Sequence, residues 1–436
     1  LITSDQQKNI DLKLSNVNLA DITPDIDSVA IDGKINGSIN LRTINKKTLP
    51  IADLTINYFS INNDYYGDLN FQAASDDNIR SYTFDLLLEN SGLKTLTAQG
   101  AVDLTSEEPS ILASAKLDRF RINAFSPLGK NVLSNIRGFA SGSARVLGSY
   151  RQPDIQGRLR LDQSGLAIPY LNVDYSLADA AEIFINGDRW DLGNIPLTDT
   201  KYDSGGILSG YVTHQNFNNW ALNLNITTEN MLVLDTPKTE DALYFGTAFV
   251  SGETNITGPT DALLIDVVAT TEPNTVFNIP LSDVEALGEE GYIKFLSPEE
   301  KAARLRGEIL EQEKIIGLEM KFDLDINDNA LVEVVIDQKS GSKLRGRGAG
   351  LILVELNTLG KFNMWGDFKV IEGIYDFRYQ GLVNKTIAVD NDGEINWNGD
   401  PMRATLNLKA RYSTRANPSV LLDNPGINRD IDVDAV

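Results

Sequence analysis

The side chains able to do chemistry are few. His214 is the single histidine, set between Thr213 and Gln215 at the end of a strand pattern, where an exposed position is expected. One imidazole cannot by itself make a His-rich metal site or a catalytic dyad. The chain has no cysteine, which excludes thiolate nucleophiles, thiolate metal sites and disulfides. No Gly-x-Ser-x-Gly elbow is present. Gly346, Gly348 and Gly350 alternate as in a strand and do not form a phosphate loop ahead of a helix. Asp390-Asn391-Asp392-Gly393 opens like a calcium loop but lacks the later ligands and the closing glutamate, so it reads as a turn. With 61 acidic residues, paired carboxylates are unavoidable. Asp323 and Asp325 sit on the polar side of a strand, and nothing selects one pair for glycosidase chemistry. The expectation is no enzyme, no metal and no cofactor.

The net charge of −22 repels phosphate backbones, so nucleic acid is excluded as a partner. Lys339, Lys343, Arg345 and Arg347 are the one basic stretch. It reads as a solvated hairpin end, with an anionic headgroup or acidic partner as the alternative. The 436 residues exceed one ordinary core. The longest apolar runs, such as Leu351 to Val354, fall far short of the ~20 residues that span a bilayer. The chain begins at Leu1 without a methionine and reads as part of a longer polypeptide, with targeting and anchoring segments outside it.

The elements that must position these residues are strands. Phe362, Met364, Gly366, Phe368 and Val370 alternate with Asn363, Trp365, Asp367 and Lys369. Period two puts the first set on one face and the second on the other. Met320, Phe322, Leu324 and Ile326 repeat the pattern, as do Tyr82 to Leu88, Leu96 to Leu104, Leu222 to Ile226 and Leu406 to Tyr412. Turn signals such as Asn186-Gly187-Asp188 and Asn327-Asp328-Asn329 separate the runs. Short connections imply mostly antiparallel neighbours. Ser297-Pro298-Glu299-Glu300 is a capping box, and Ala302, Leu305, Ile309 and Ile316 follow on one helical face before Gly317. That segment reads as an amphipathic helix capping the sheet, with a gating or partner-binding role as the alternative. A glycine-punctuated strand, a turn with proline and a second strand recur from Gly138 and again from Gly246.

The expected fold class is therefore all-β: an elongated, mostly antiparallel open groove with one amphipathic helix. The expected segments are 1–130, 131–296 with the glycine and proline repeats, the helix at 297–317, and 318–436. So long a sheet, apolar along one side, either closes on a core or lines a groove for something greasy.

One stretch has a family likeness. Gly360-Lys361-Phe362, Gly366-Asp367-Phe368, Glu372-Gly373-Ile374-Tyr375-Asp376-Phe377, Asp392-Gly393-Glu394-Ile395-Asn396-Trp397, Gly399-Asp400-Pro401 and Ala410-Arg411-Tyr412 follow one another in order. This series closely resembles the C-terminal domain of the TamB family, the translocation and assembly module of Gram-negative envelopes. The repeats of 138–270 look like the region that precedes it, and 1–130 fit in general style.

The resemblance implies a non-catalytic periplasmic protein held in the inner membrane by an anchor outside this chain. It implies a taco-like β-structure related to AsmA-like bridge proteins, with a hydrophobic groove for phospholipids. It further implies a C-terminal end that meets an outer-membrane Omp85-type barrel. On this reading Phe322, Leu324, Ile326, Phe362, Met364, Phe368, Val370, Leu406 and Leu408 are the candidates for the lipid groove. Trp397, Tyr412, Arg345 and Arg347 are the candidates for facing the partner. A chaperone pairing its edges with nascent outer-membrane strands is the alternative. A β-helical adhesin or polysaccharide-acting protein is the more distant one, and the coils of regular length it requires are absent.

Overall fold

A computed structural model describes residues 7–23, 30–44, 47–75, 80–106, 108–129, 133–149, 152–215, 218–239, 242, 244–280, 318–337, 340–358, 360–379, 383–391, 393–417 and 429–435. Among them the regular structure is strands and two short 3-10 turns, with no α-helix. The all-β expectation holds. The helix expected at 297–317 lies outside the described residues.

The chain divides into two compact units, Leu1–Met231 with Asn255–Thr260, and Leu232–Thr254 with Asp261–Val436. The first unit opens with nine strands: β1 (Gln7–Asn18), β2 (Ile31–Ile44), β3 (Lys47–Ile61), β4 (Asp64–Ser75), β5 (Ser81–Asn90), β6 (Leu93–Asp103), β7 (Ser110–Arg121), β8 (Ser134–Ser149) and β9 (Gln152–Ile168). Each pairs antiparallel with the next, and most are joined by short turns that return the chain directly. β10 (Val173–Leu177) and β11 (Ala181–Asn186) then run as one interrupted line along β9. β12 (Arg189–Asp199), β13 (Gly205–Gln215) and β14 (Asn218–Thr236) continue the antiparallel ladder.

Bulges bend several of these strands at nearby levels. β1 shifts register between Leu14 and Val17, β3 after Ile56 and β7 after Leu117. Each carries a residue at positive φ: Asn16, Tyr58 and Arg119. Side chains of the neighbouring strand catch the freed amides. Asn16 donates to Asn36, Tyr58 to Asp68 and Arg119 to Ser141, all at 2.9 Å. A bulge leaves one residue unpaired and increases local twist, so a line of them curls the sheet. At and beyond the line the apolar side chains are buried: Leu19, Ile35 and Ile56 form one cluster, and Tyr66 stacks on Phe120 at 5.2 Å.

The second unit carries β15 (Phe245–Pro259) up to Thr254, and then two more interrupted lines. One is β16 (Leu264–Thr271) with β17 (Val276–Pro280); the other is β18 (Glu319–Ile326) with β19 (Leu331–Asp337). β18 runs parallel to β16, and β19 parallel to β17. These are departures from the antiparallel rule: β18 comes alongside β16 only after residues 281–317, and the corner at Asn327-Asp328-Asn329 keeps β19 running on in the direction of β18. That signal reads locally as a hairpin turn, yet the chain goes on in the same direction. Asn327 is tied back to Thr271 through its amide and side chain, and Leu331 donates to Thr275 O at 2.9 Å. β20 (Ser342–Asn357) spans both β18 and β19, and β21 (Phe362–Tyr379) pairs with β20 along most of its length. β22 (Val383–Val389) and β23 (Gly393–Gly399) share β21, followed by β24 (Thr405–Asn407), β25 (Ala410–Ala416) and β26 (Ile431–Ala435).

Candidate functional site

Residues opposite one another on paired strands share a face, so the registers turn the alternation of the sequence into rows. In the first unit one row reads Leu14, Gly37, Leu54, Phe71, Leu86, Ala98, Ala115, Ala144, Gly157, Ile185, Trp190, Val212 and Leu222. The next reads Val17, Ile35, Ile56, Leu69, Leu88, Leu96, Leu117, Gly142, Leu159, Ile183, Leu192, Gly210 and Leu224. Neither contains a charged side chain. A row on the opposite face reads Lys13, Ser38, Asp53, Gln72, Asp85, Gln99, Ser114, Arg145 and Gln156. In the first of the apolar rows Leu54, Phe71, Leu86, Ala98 and Ala115 are only half-buried. A layer packed across them would bury such side chains. What this face offers is nearly continuous hydrocarbon contact, with the Trp190 indole N–H the one side-chain hydrogen-bonding group in the two rows.

The matching face of the second unit is the more enclosed, with half-buried side chains such as Phe322 and Leu324 among buried ones. Its rows run Ile265, Met320, Leu356, Phe362; then Val267, Phe322, Val354, Met364; then Ala269, Leu324, Ile352, Gly366, Trp397; then Ile326, Gly350, Phe368, Ile395, Leu406. The register thus joins the strands of Phe322 and Met364 through Val354. Met320 is 0 % exposed and Phe368 3 %. Space for the Phe368 ring comes from Gly348, where an added Cβ would lie 2.6 Å from that ring. Each fully buried large side chain contributes about 1.5–3 kcal/mol, so this face has the character of a core.

The nine groove candidates therefore separate. Met364, Phe368 and Val370 are buried, while Phe322, Leu324, Ile326, Phe362 and Leu408 are half-buried. Leu406, opposite Ile395, is 55 % exposed at the short strand β24. The partner-facing candidates separate too. Trp397 shares the row of Ile352 and is 5 % exposed, so it points inward, a correction to the outward position expected of it. Its parity with Ile395 carries that information. Arg345 lies 3.8 Å from Asp376, and Arg347 lies 3.7 Å from Glu372. Arg347 also donates to Asp328 O and Asn329 O at 2.8 Å, and Lys343 to Glu333 at 2.9 Å. Lys343, Arg345 and Arg347 of the basic stretch are thus paired with acidic groups of their own sheet, and Lys339 lies outside the described residues. Tyr412 stays half-exposed with the Lys385 ammonium 4.3 Å from its ring centroid. The bond from that lysine lowers the phenol's pKa.

Sequence reading missed one cluster. His214 is buried, not exposed: its side chain is 1 % accessible, between Trp220 at 4.7 Å and Trp190 at 5.7 Å, ring centroid to centroid. Its amide donates to Asp188 O at 3.0 Å, and its Nδ1 lies 3.5 Å from Asp188 Oδ1. Burial lowers the imidazole pKa, and the Asp188 charge works against that. The parity of His214 with Val212 and Gly210, both on the apolar face, was the available signal.

Among the described residues no group of three or more His, Cys, Asp or Glu side chains is arranged to hold a metal ion. Among them, too, no helix is long and apolar enough to cross a membrane. The family model of the TamB C-terminal domain matches residues 194–436, more than half of the chain. No curated protein and no solved structure matches it.

Proposed function

The chain belongs to the TamB family, and on that premise we propose that it carries phospholipid toward the outer membrane along the apolar face of its first unit. The family is a non-enzymatic one of the bacterial envelope, associated with outer-membrane assembly. The observation that carries the reading is the half-exposed aliphatic face running from β1 to β9, backed by a polar face on the same strands. Acyl chains gain ~0.8 kcal/mol per buried CH₂ and need no specific hydrogen bonds, so they can occupy such a face and move along it. The protein acts without catalysis, in the periplasm between the two membranes, anchored on the inner side by a segment outside this chain.

The second unit serves the outer-membrane end. An Omp85-type barrel meets it near β24 to β26, where Leu406 and Tyr412 keep exposed surface and short strands can extend a partner's sheet. Site-specific crosslinkers placed along the chain should capture the barrel from this end; capture only from residues 1–130 would reverse the polarity. The cargo is tested by mass spectrometry of lipids that copurify with the full chain and with Leu86→Asp. Phospholipid on the parent and loss from the folded variant is the expected result. Equal lipid on both would remove the first unit's face as the carrier.

A further inference from the structure

The buried His214 is not used by a lipid path, and its surroundings give it a role of its own. It sits on the apolar face of the first unit, at the end where the turns of β11–β12 and β13–β14 lie. Trp190 and Trp220 close on it and also meet each other edge to face, at 5.2 Å. Asp188 is a charged group that faces the ring, and its own side chain is largely in water. Arg189 and Asp191 on β12 bond to one another on the opposite face, flanking the inward Trp190. β14 from Asn218 to Leu224 and the segment 255–260 bring no ionisable side chain to the cluster.

We propose that His214 is a proton-operated latch at this end of the sheet. Neutral, the imidazole packs against both indoles and ties β12, β13 and β14 together through them. When it takes up a proton, the new charge cannot remain among apolar rings with so little water. Asp188, 3.5 Å away and open to solvent, offers a counter-charge. The ring moves toward it, and the indoles part. Trp190 belongs to the half-exposed apolar row, so its displacement widens the end of that row. This inference does not depend on what the face carries, and its test needs no lipid.

The sign follows from burial. The folded state holds the imidazole's proton less tightly than the unfolded chain does, so between the lowered folded value and the ordinary 6.5 the unfolded state binds more protons. The latched state is favoured fully above the ordinary value and is lost as the pH falls through the folded one. The experiment is tryptophan emission of the full chain carrying Trp365→Phe and Trp397→Phe, titrated from pH 7.5 to 4.5 with far-UV dichroism recorded alongside. The expected result is quenching and a red shift with a midpoint below 6.5 while the strand signal stays constant. His214→Gln should abolish the transition, and Asp188→Asn should move its midpoint to lower pH. The proposal is overturned by constant emission, by a transition that survives in His214→Gln, or by one that coincides with loss of the strand signal.

Discussion

Leu86 and Phe368 occupy the same kind of position: each is an apolar residue on a strand, flanked by strands whose registers place further apolar residues beside it. In the first unit Leu86 stands between Phe71 and Ala98 and is half-buried. In the second, Phe368 stands between Gly350 and Ile395 and is almost wholly enclosed. The difference lies in the size and arrangement of neighbours. One row of the first unit passes through Ala98, Ala115, Ala144 and Gly157 on β6 to β9, whereas the rows of the second unit carry Ile352, Val354, Met364 and Phe368 on its middle strands. Alternation alone makes a face apolar. The distribution of volume on that face decides whether it stays open or becomes a core.

The largest expected effect is therefore Phe368→Asp. It places a charge where water does not reach and should cost about 4 kcal/mol or more, seen as a lowered urea midpoint or failure to fold. A variant that folds normally would show the second unit to be as open as the first. Gly348→Val comes next. Its Cβ would meet Lys369 O at 2.2 Å as well as the Phe368 ring, and overpacking of this kind should cost about 2–3 kcal/mol by the same measurement. Leu86→Asp should cost only about 1 kcal/mol, because its carboxylate reaches water, while the copurifying phospholipid falls. Arg345→Ala is the smallest. Its ion pair with Asp376 is partly exposed, so the stability change should stay below about 1 kcal/mol in a denaturant titration. A larger loss would mean that the charged rows of the second unit, and not its apolar face, set its stability.

Most of the strands were legible, because period two is imposed by the pleat and survives whatever packs above it. The corners were not. Asn327-Asp328-Asn329 has the residues of a hairpin turn, since Asn and Asp report only that the backbone bends locally. Whether the chain then returns or continues is fixed by a partner such as Thr271, far off in sequence. Trp397 and His214 were misplaced for a related reason. Trp397 was placed by the family resemblance and His214 as a lone polar ring, although parity with Ile395 or Val212 already assigned the face of each. Nothing in local composition marks the division into units, which falls within β14 and β15.

The parallel pairing of β16 with β18 has a consequence for the order in which the protein assembles. From β1 to β9 each strand lies against the one made just before it, so the sheet can grow by one hairpin at a time as the chain emerges. Leu264 and Glu319, by contrast, are held side by side with β17 and all of 281–317 between them in the chain. Closing that long loop costs entropy before any contact repays it. The first unit can thus be complete while β16 and β17 still wait for β18 and β19, with an unpaired edge in the meantime. In that interval the open edge can pair wrongly, and a chaperone would be needed most.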